Sequence, residues 1–477
     1  MSHLWTSHDL VAAMNGRPVG DLPEGVGGVS IDTRTLQAGD AFFAIRGDRF
    51  DGHDFASAAM AAGAGLMVVA EAKLPALGRL KVPMIVVDDV LKALGDLGVA
   101  ARNRSNAKII AVTGSVGKTS TKEMLRHALA PSGEVHAATA SFNNHWGVPL
   151  TLARMPESAA FGVFEIGMNH PGEIRPLVSM VRPHVAIITT VAPAHLGNFK
   201  SLAEIAMAKA EIMEGIEPGG YILLNRDNEK FSWLKKHAVD LKIGHVRSFG
   251  ENKQSNIRLI SATLAADHSE VVARLGARDI AFRLGAPGRH LVQNALAVLG
   301  AVWFAGADID KAIAALGTIS AEKGRGARQM LQAADGPFTL IDESYNANPA
   351  SMRAALALLH ATPPGEGGRR IAVLGDMLEM GRFAEKVHRE LAPAVIEAEV
   401  DLLCLSGPEM KHLQSEVSGK VETVHRDSAE TLGEWLKGHV RAGDVVMVKS
   451  SLGIGFGKIV RLLTETFPAA TSAGGAA

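Results

Sequence analysis

The sequence predicts an α/β protein of about three domains, with a parallel sheet in the central domain. Its 477 residues are about three times the usual domain size of roughly 150 residues. Short apolar runs, typical of buried strands, alternate with helical patterns along the chain. This alternation favours parallel sheets that are covered by helices on both faces. A glycine-rich turn follows one of these runs directly, at residues 113–117.

Composition excludes several classes of protein. With 49 Lys and Arg residues against 50 Asp and Glu, the net charge is −1, so we expect no nucleic-acid partner. The single cysteine, Cys404, cannot form an internal disulfide and fits a reducing compartment. Neither a signal-peptide pattern nor an uncharged apolar stretch of about 18 residues is visible. We therefore expect a soluble, cytoplasmic protein without a membrane span.

The pattern divides the chain into three blocks and a tail. Residues 1–105 predict a small α/β domain, residues 106–319 the central sheet domain, and residues 320–468 a third α/β domain. Residues 469–477 are rich in alanine and glycine and predict a disordered tail. Residues 245–285 are more typical of antiparallel strands and turns. The strand candidates are residues 41–45, 65–70, 84–87, 108–112, 161–166, 185–190, 221–224, 338–341, 370–374, 401–405 and 444–448.

The glycine-rich turn predicts a nucleotide site. It runs through Thr113, Gly114, Ser115, Val116, Gly117, Lys118 and Thr119. Glycines let backbone N–H groups approach phosphates, and a following helix adds its positive end. Lys118 can reach the β- and γ-phosphates, while the Thr119 hydroxyl can bind Mg²⁺. Val112 stands where the strict P-loop has its first glycine, so the loop is a shorter variant.

Two further polar residues follow strand candidates. Glu165 ends the apolar run 161–164, where a carboxylate could face Mg²⁺. His195 follows the candidate at 185–190 and is expected at the same sheet edge. A solvent-facing acid and a structural histidine are the alternatives on sequence alone.

Seven motifs in chain order carry a resemblance to the Mur ligases, the ligase family of bacterial cell-wall synthesis. The resemblance covers almost the whole chain. The motifs are residues 30–34 with 47–55, 113–119, 142–149, 165–174, 288–295, 344–349 and 373–381.

The resemblance implies a fold and a reaction. The first domain would hold the UDP end of a substrate, the central domain ATP, and a Rossmann-like third domain would close over them. ATP would phosphorylate the terminal carboxylate of UDP-N-acetylmuramoyl-tripeptide, and the amine of D-alanyl-D-alanine would attack the acyl phosphate. The products would be the UDP-muramoyl pentapeptide, ADP and phosphate. We expect a monomer.

The resemblance also implies metal and substrate contacts. Thr119 and Glu165 would bind a first Mg²⁺ ion and His195 a second. Lys209 matches a lysine that the family carries as a carbamate, although its sequence context alone indicates a helical surface lysine. Asn143 and Asn144 match positions near the γ-phosphate and the substrate.

The remaining implied contacts concern ATP and the UDP end. His290 and Asn294 lie four residues apart and so share a helix face, with Asn294 matched to the adenine. Two pairs stay open, because either Asp342 or Glu343 could bind the ribose and either Arg325 or Arg328 could meet the γ-phosphate. Thr33 and Arg34 are the candidates for the uridine diphosphate.

Two other functions stay open beside this ligase. One is a Mur-type or folylpolyglutamate-type ligase with a different acceptor. The other is a P-loop switch protein that hydrolyses ATP to change shape.

Overall fold

The computed structural model describes residues 3–78, 80–139, 141–194, 196–265 and 267–470. These residues form three α/β units in chain order, each built on a larger sheet of its own. The α/β fold class is therefore confirmed. Within the described part of the chain, no helix is long and apolar enough to cross a membrane.

The first unit has a five-stranded sheet and a short two-stranded one. Its strands are β1 (Trp5–Thr6), β2 (Arg17–Val19), β3 (Gly25–Val26), β4 (Val29–Ser30), β5 (Ala41–Phe43), β6 (Leu66–Ala70) and β7 (Met84–Val87). Its helices are α1 (Ser7–Met14), α2 (Ala56–Ala61), α3 (Leu74–Leu77) and α4 (Val90–Arg104). The larger sheet has the order β2-β7-β6-β5-β4, parallel except for β2.

The second unit has a nine-stranded sheet of order β16-β15-β14-β13-β12-β11-β8-β10-β9. Its strands are β8 (Lys108–Thr113), β9 (Val135–Ala137), β10 (Phe161–Glu165), β11 (Val185–Ile188), β12 (Tyr221–Asn225), β13 (His245–Gly250), β14 (Ile257–Leu264), β15 (Ser269–Leu275) and β16 (Arg278–Leu284). Its helices are α5 (Lys118–Leu129), α6 (Gly147–Ala153), α7 (Ile174–Val181), α8 (Leu202–Ala210), α9 (Phe231–Asp240), α10 (Arg289–Phe304) and α11 (Ile309–Leu316). Two buried apolar clusters cover its opposite faces.

The antiparallel prediction for residues 245–285 is wrong at its start. Strand β13 pairs in parallel with β12, because helix α9 connects the two strands and returns the chain to the same end of the sheet. Only the run from β14 to β16 is antiparallel.

The third unit has a six-stranded sheet of order β17-β18-β22-β19-β20-β21. Its strands are β17 (Ala327–Ala333), β18 (Gly336–Glu343), β19 (Arg370–Gly375), β20 (Leu402–Ser406), β21 (Glu422–Arg426) and β22 (Val445–Lys449). Its helices are α12 (Pro349–His360), α13 (Ala384–Arg389), α14 (Ala392–Glu397), α15 (Met410–Glu416), α16 (Ala429–Lys437) and α17 (Gly457–Thr466). All strands but the edge strand β17 are parallel, with helices on both faces.

Short 3₁₀ turns complete the fold. They are Gly52–Phe55, Glu71–Lys73, Ala130–Ser132, Leu196–Asn198, Glu211–Gly215, Gly381–Phe383 and Leu452–Ile454. Residues 469 and 470 of the predicted disordered tail are ordered, because Ala469 bridges to Leu331 and the Ala470 N–H donates to the Met330 carbonyl. Residues 471–477 lie outside the described part.

The sheets bring polar strand ends together. Strand β8 lies between β10 and β11, so the carboxyl ends of these three strands share one edge. Glu343 ends β18 and Lys449 ends β22 in the third unit, and both side chains face the same cleft as that edge.

Candidate active site

A cleft of about 650 Å³ opens between the second and third units. We call it the central cleft. Its walls include Ser115, Val116, Gly117, Lys118, Thr119, Ser141, Asn143, Glu165, His290, Asn294, Arg325, Glu343, Tyr345 and Lys449. The structure thus brings together residues that are far apart in the sequence, from the glycine-rich turn after β8 to the end of β22.

The glycine-rich turn forms the floor of the central cleft. Gly117 has φ 84° and stands directly before α5, and a Cβ there would lie 2.8 Å from Asn294 Oδ1. Glycine is therefore required both by the left-handed backbone and by the close helix α10. Lys118 Nζ donates to the Gly114 carbonyl at 2.8 Å. Burial lowers the pKa of the Lys118 ammonium, while Glu165 favours its charged form.

A compact set of oxygen donors stands beside this lysine. Glu165 Oε2 accepts from the Thr119 hydroxyl at 2.8 Å, and Oε1 accepts from Asn143 Nδ2 at 2.7 Å. Glu165 is 3% exposed. One hydroxyl and one carboxylate fit Mg²⁺, which keeps several waters and needs few protein ligands. Among the described residues, no cluster of three or more His, Cys, Asp or Glu side chains is arranged to hold a metal ion.

The second predicted metal position is described only in part. His195 lies outside the described residues. Lys209 is on α8 and is 2% exposed, so it is a buried lysine and the surface reading of its sequence context is wrong. Burial holds the pKa of the Lys209 ammonium well below its ordinary value, and the charge of Lys118 lowers it further. A neutral amine at this depth avoids the cost of burying a charge.

Helix α10 brings His290 and Asn294 to the cleft wall, as their four-residue spacing predicts. Asn294 is 8% exposed and contacts the glycine-rich turn at Gly117. Burial lowers the pKa of His290, which favours its neutral imidazole. Asn144 is placed differently from Asn143, since its Oδ1 accepts from the Gly147 N–H at 3.0 Å and caps α6.

In each of the two pairs that the sequence left open, the structure places one residue in the cleft and the other outside it. Arg325 lines the central cleft, whereas Arg328 Nη2 donates to Thr362 Oγ1 at 2.9 Å inside the third unit. Glu343 lines the cleft, whereas the Asp342 carboxylate is 2% exposed. It accepts bonds from the Gly324 N–H and from the N–H and hydroxyl of Ser344. Arg328 and Asp342 therefore stabilise the local fold rather than face the cleft.

Thr33 and Arg34 lie in the first unit, on the turn that follows β4. Neither is among the residues that line the central cleft. The Arg34 side chain is 86% exposed and pairs with Asp32, whose pKa it lowers. This pair is accessible to solvent, as a contact for a distant end of a long substrate would need to be.

Sequence reasoning missed several residues of the cleft, among them Lys449, Tyr345 and Ser141. Lys449 is 2% exposed, and its Nζ lies 3.2 Å from Glu343 Oε2 and 3.0 Å from the Asn346 carbonyl. Its position at the end of a β-branched strand could have indicated a site residue. Tyr345 and Ser141 are joined by a hydrogen bond over 204 residues of sequence, a pairing without a local signal.

Comparison with known proteins agrees with this architecture. Family models match as the Mur ligase family catalytic domain over residues 25–102, the Mur ligase middle domain over 112–302, and the Mur ligase glutamate ligase domain over 328–452. The UDP-N-acetylmuramoyl-tripeptide--D-alanyl-D-alanine ligase of Escherichia coli K12 is 35% identical, over 92% of this chain and 93% of its own. The ligase of the same name from Bacillus subtilis is 31% identical, over 92% and 93% of the two chains.

A solved structure is similar over nearly the full length. The crystal structure of MurF from Acinetobacter baumannii has a TM-score of 0.84 and 29% identity, covering 97% of this chain and 99% of that one. The three matched models together span most of the sequence, and the relatives exceed 30% identity over nine-tenths of it. The chain belongs to the Mur ligase family.

Proposed function

We propose that this chain is an ATP-dependent ligase that joins D-alanyl-D-alanine to UDP-N-acetylmuramoyl-tripeptide, giving the pentapeptide precursor of peptidoglycan. The observation that carries the proposal is the composition of the central cleft. Two cationic side chains, Lys118 and Arg325, line it and interact electrostatically with each other. The hydrogen-bonded pair of Thr119 and Glu165 lies beside them. Cations and hard oxygen donors at one point suit phosphoryl transfer. The substrates follow from the full-length relatives that carry this activity in their names.

The chemistry explains why two cations are needed. A carboxylate resists amine attack because oxide is a poor leaving group. In the first step a carboxylate oxygen attacks the γ-phosphorus, and the bond from that phosphorus to ADP breaks. In the second step the amine nitrogen attacks the acyl carbon, the C–O bond to phosphate breaks, and the nitrogen loses a proton. Lys118 and Arg325 offset the repulsion between the carboxylate and the triphosphate.

Mg²⁺ would be held by Thr119 and Glu165, with His195 at a second ion. When bound, Mg²⁺ neutralises charge on the phosphate oxygens. The buried Lys209 supports the carbamate proposal, because addition of CO₂ requires the neutral amine that its lowered pKa favours. Carbamylation would also turn a potential buried cation into an anion that suits a metal site.

The nucleotide would lie across both units. Asn294 offers a donor and an acceptor to the adenine, with His290 one turn earlier on α10. Glu343, which ends β18 and lines the cleft, would bind the ribose. Thr33 and Arg34 would meet the uridine diphosphate in the first unit. We further propose domain boundaries near residues 105 and 319, with a cytoplasmic location and a monomeric state as predictions.

A substrate panel tests the proposed function. Phosphate release from ATP should require both UDP-N-acetylmuramoyl-tripeptide and D-alanyl-D-alanine, and mass spectrometry should find the pentapeptide product in equal amount. Single amino acids that serve equally well would contradict the acceptor assignment. Hydrolysis without any amide product would instead indicate a switch protein.

A further inference from the structure

Tyr345 connects the two walls of the central cleft. It follows β18 in the third unit, and its hydroxyl donates to Ser141 Oγ of the second unit at 2.8 Å. Both residues line the cleft. The bond is therefore a direct polar link between the second unit, which contains the glycine-rich turn, and the third unit on the other side of the cleft.

The Tyr345 ring also packs against Arg325, the arginine that lines the cleft. The Arg325 guanidinium lies 4.1 Å from the centre of the Tyr345 ring, a cation–π contact. Arg325 and Lys118 are close enough that the arginine charge opposes protonation of the lysine. Two like charges repel, so a neutral aromatic face is a suitable support for Arg325. Its carboxylate neighbour, Glu322 Oε2, lies 3.9 Å from Arg325 Nε, which is beyond hydrogen-bond distance.

Two hydrogen bonds hold residues close to Ser141 in sequence. Lys122 of helix α5 is 1% exposed, and its Nζ donates to the Ala138 carbonyl at 2.8 Å. Two residues beyond Ser141, Asn143 donates to Glu165. On one side of Ser141 the chain is therefore bonded to helix α5, which follows the glycine-rich turn. On the other side it is bonded to Glu165, the proposed metal ligand.

We propose that Tyr345 is a positioning residue, whose hydroxyl bond to Ser141 fixes the third unit over the second and so holds Arg325 at the triphosphate. The inference rests on the proposed function. Tyr345 needs no contact with the reacting atoms for this role, because it acts through Arg325. The Tyr345 ring stabilises the position of the Arg325 guanidinium, and the hydrogen bond from the Tyr345 hydroxyl to Ser141 fixes the position of the ring.

A double-mutant cycle tests the link. Tyr345→Phe keeps the ring and removes the hydroxyl, and Ser141→Ala removes the other partner. Each variant should lower kcat by about three- to tenfold, the worth of one neutral hydrogen bond, with the KM for ATP changed less than twofold. The double variant should be no slower than the slower single variant, because both changes break the same bond.

The chain offers a matched control. Tyr221 is the only other tyrosine in the sequence, and its ring is stacked against His245 and Phe304 at 4.5 Å. Tyr221→Phe should leave kcat unchanged. Losses that multiply in the double variant, or wild-type kcat in both single variants, would overturn the proposal. Absence of ligation by the wild-type protein would instead count against the proposed function itself.

Discussion

Replacing Lys118 by alanine should reduce kcat for ligation by roughly a thousandfold or more. The ammonium lies in the central cleft, donates to the Gly114 carbonyl and is stabilised by the charge of Glu165. No water can replace its charge at the same point when two anions approach. The loss should appear mainly in kcat, because charge on the transferring phosphoryl group is stabilised most strongly in the transition state. Steady-state phosphate release at saturating substrates measures it.

An exposed lysine provides the control for this variant. Lys311 is 57% exposed and pairs with Asp308 at 3.9 Å on helix α11. Lys311→Ala should keep kcat within twofold and the melting temperature close to that of the wild type, since exposed pairs contribute little. A Lys118→Ala enzyme with wild-type turnover would remove the phosphate loop from the chemistry.

Replacing Arg325 by alanine should lower kcat by about a hundred- to a thousandfold. The guanidinium lines the cleft, whereas three residues later Arg328 turns into the third unit and bonds to Thr362. Arg328→Ala should therefore keep kcat within about threefold and reduce stability by about 1 kcal/mol through the lost bond. Phosphate release measures the first effect and thermal unfolding the second.

The two arginines control for each other, because they have the same charge and lie three residues apart, Arg325 just before β17 and Arg328 within it. If both variants lost activity equally, the assignment of the γ-phosphate contact to Arg325 would fail. A large loss in Arg328→Ala alone would transfer that role to Arg328.

The parts of the site that are local in sequence could be predicted. The glycine-rich turn is contiguous and directly follows a buried strand, so its residues could be recognised from the sequence alone. His290 and Asn294 share a helix face because of their spacing. The choices between Arg325 and Arg328 and between Asp342 and Glu343 could not be made, because side-chain direction there depends on how the third unit packs.

The contact between the second and third units had no signal in the sequence. The bond between Tyr345 and Ser141 spans 204 residues. The burial of Lys209 depends on how other elements pack around α8. Its apolar neighbours could have indicated a buried position, because a helix that is apolar on several sides is usually buried. These neighbours are Ile205, Ala206, Ala208 and Ala210, all of which are buried.

The fold was predictable where strands are buried on both faces. Candidates such as 108–112, 370–374 and 444–448 correspond to central parallel strands. The missed strands all lie at sheet edges and are β1, β2, β3, β4, β9, β17 and β21. Edge strands contain more polar residues, such as the Glu, Thr, His and Arg of β21, and therefore lack the continuous apolar pattern.

Transfer of ¹⁸O from the tripeptide carboxylate tests the central claim most directly. With both oxygens of the terminal carboxylate labelled, each turnover should place one ¹⁸O in the released phosphate and leave the other in the new amide. Mass spectrometry of phosphate and pentapeptide reads both. Released phosphate without ¹⁸O, formed together with the amide, would contradict phosphorylation of the carboxylate in this cleft.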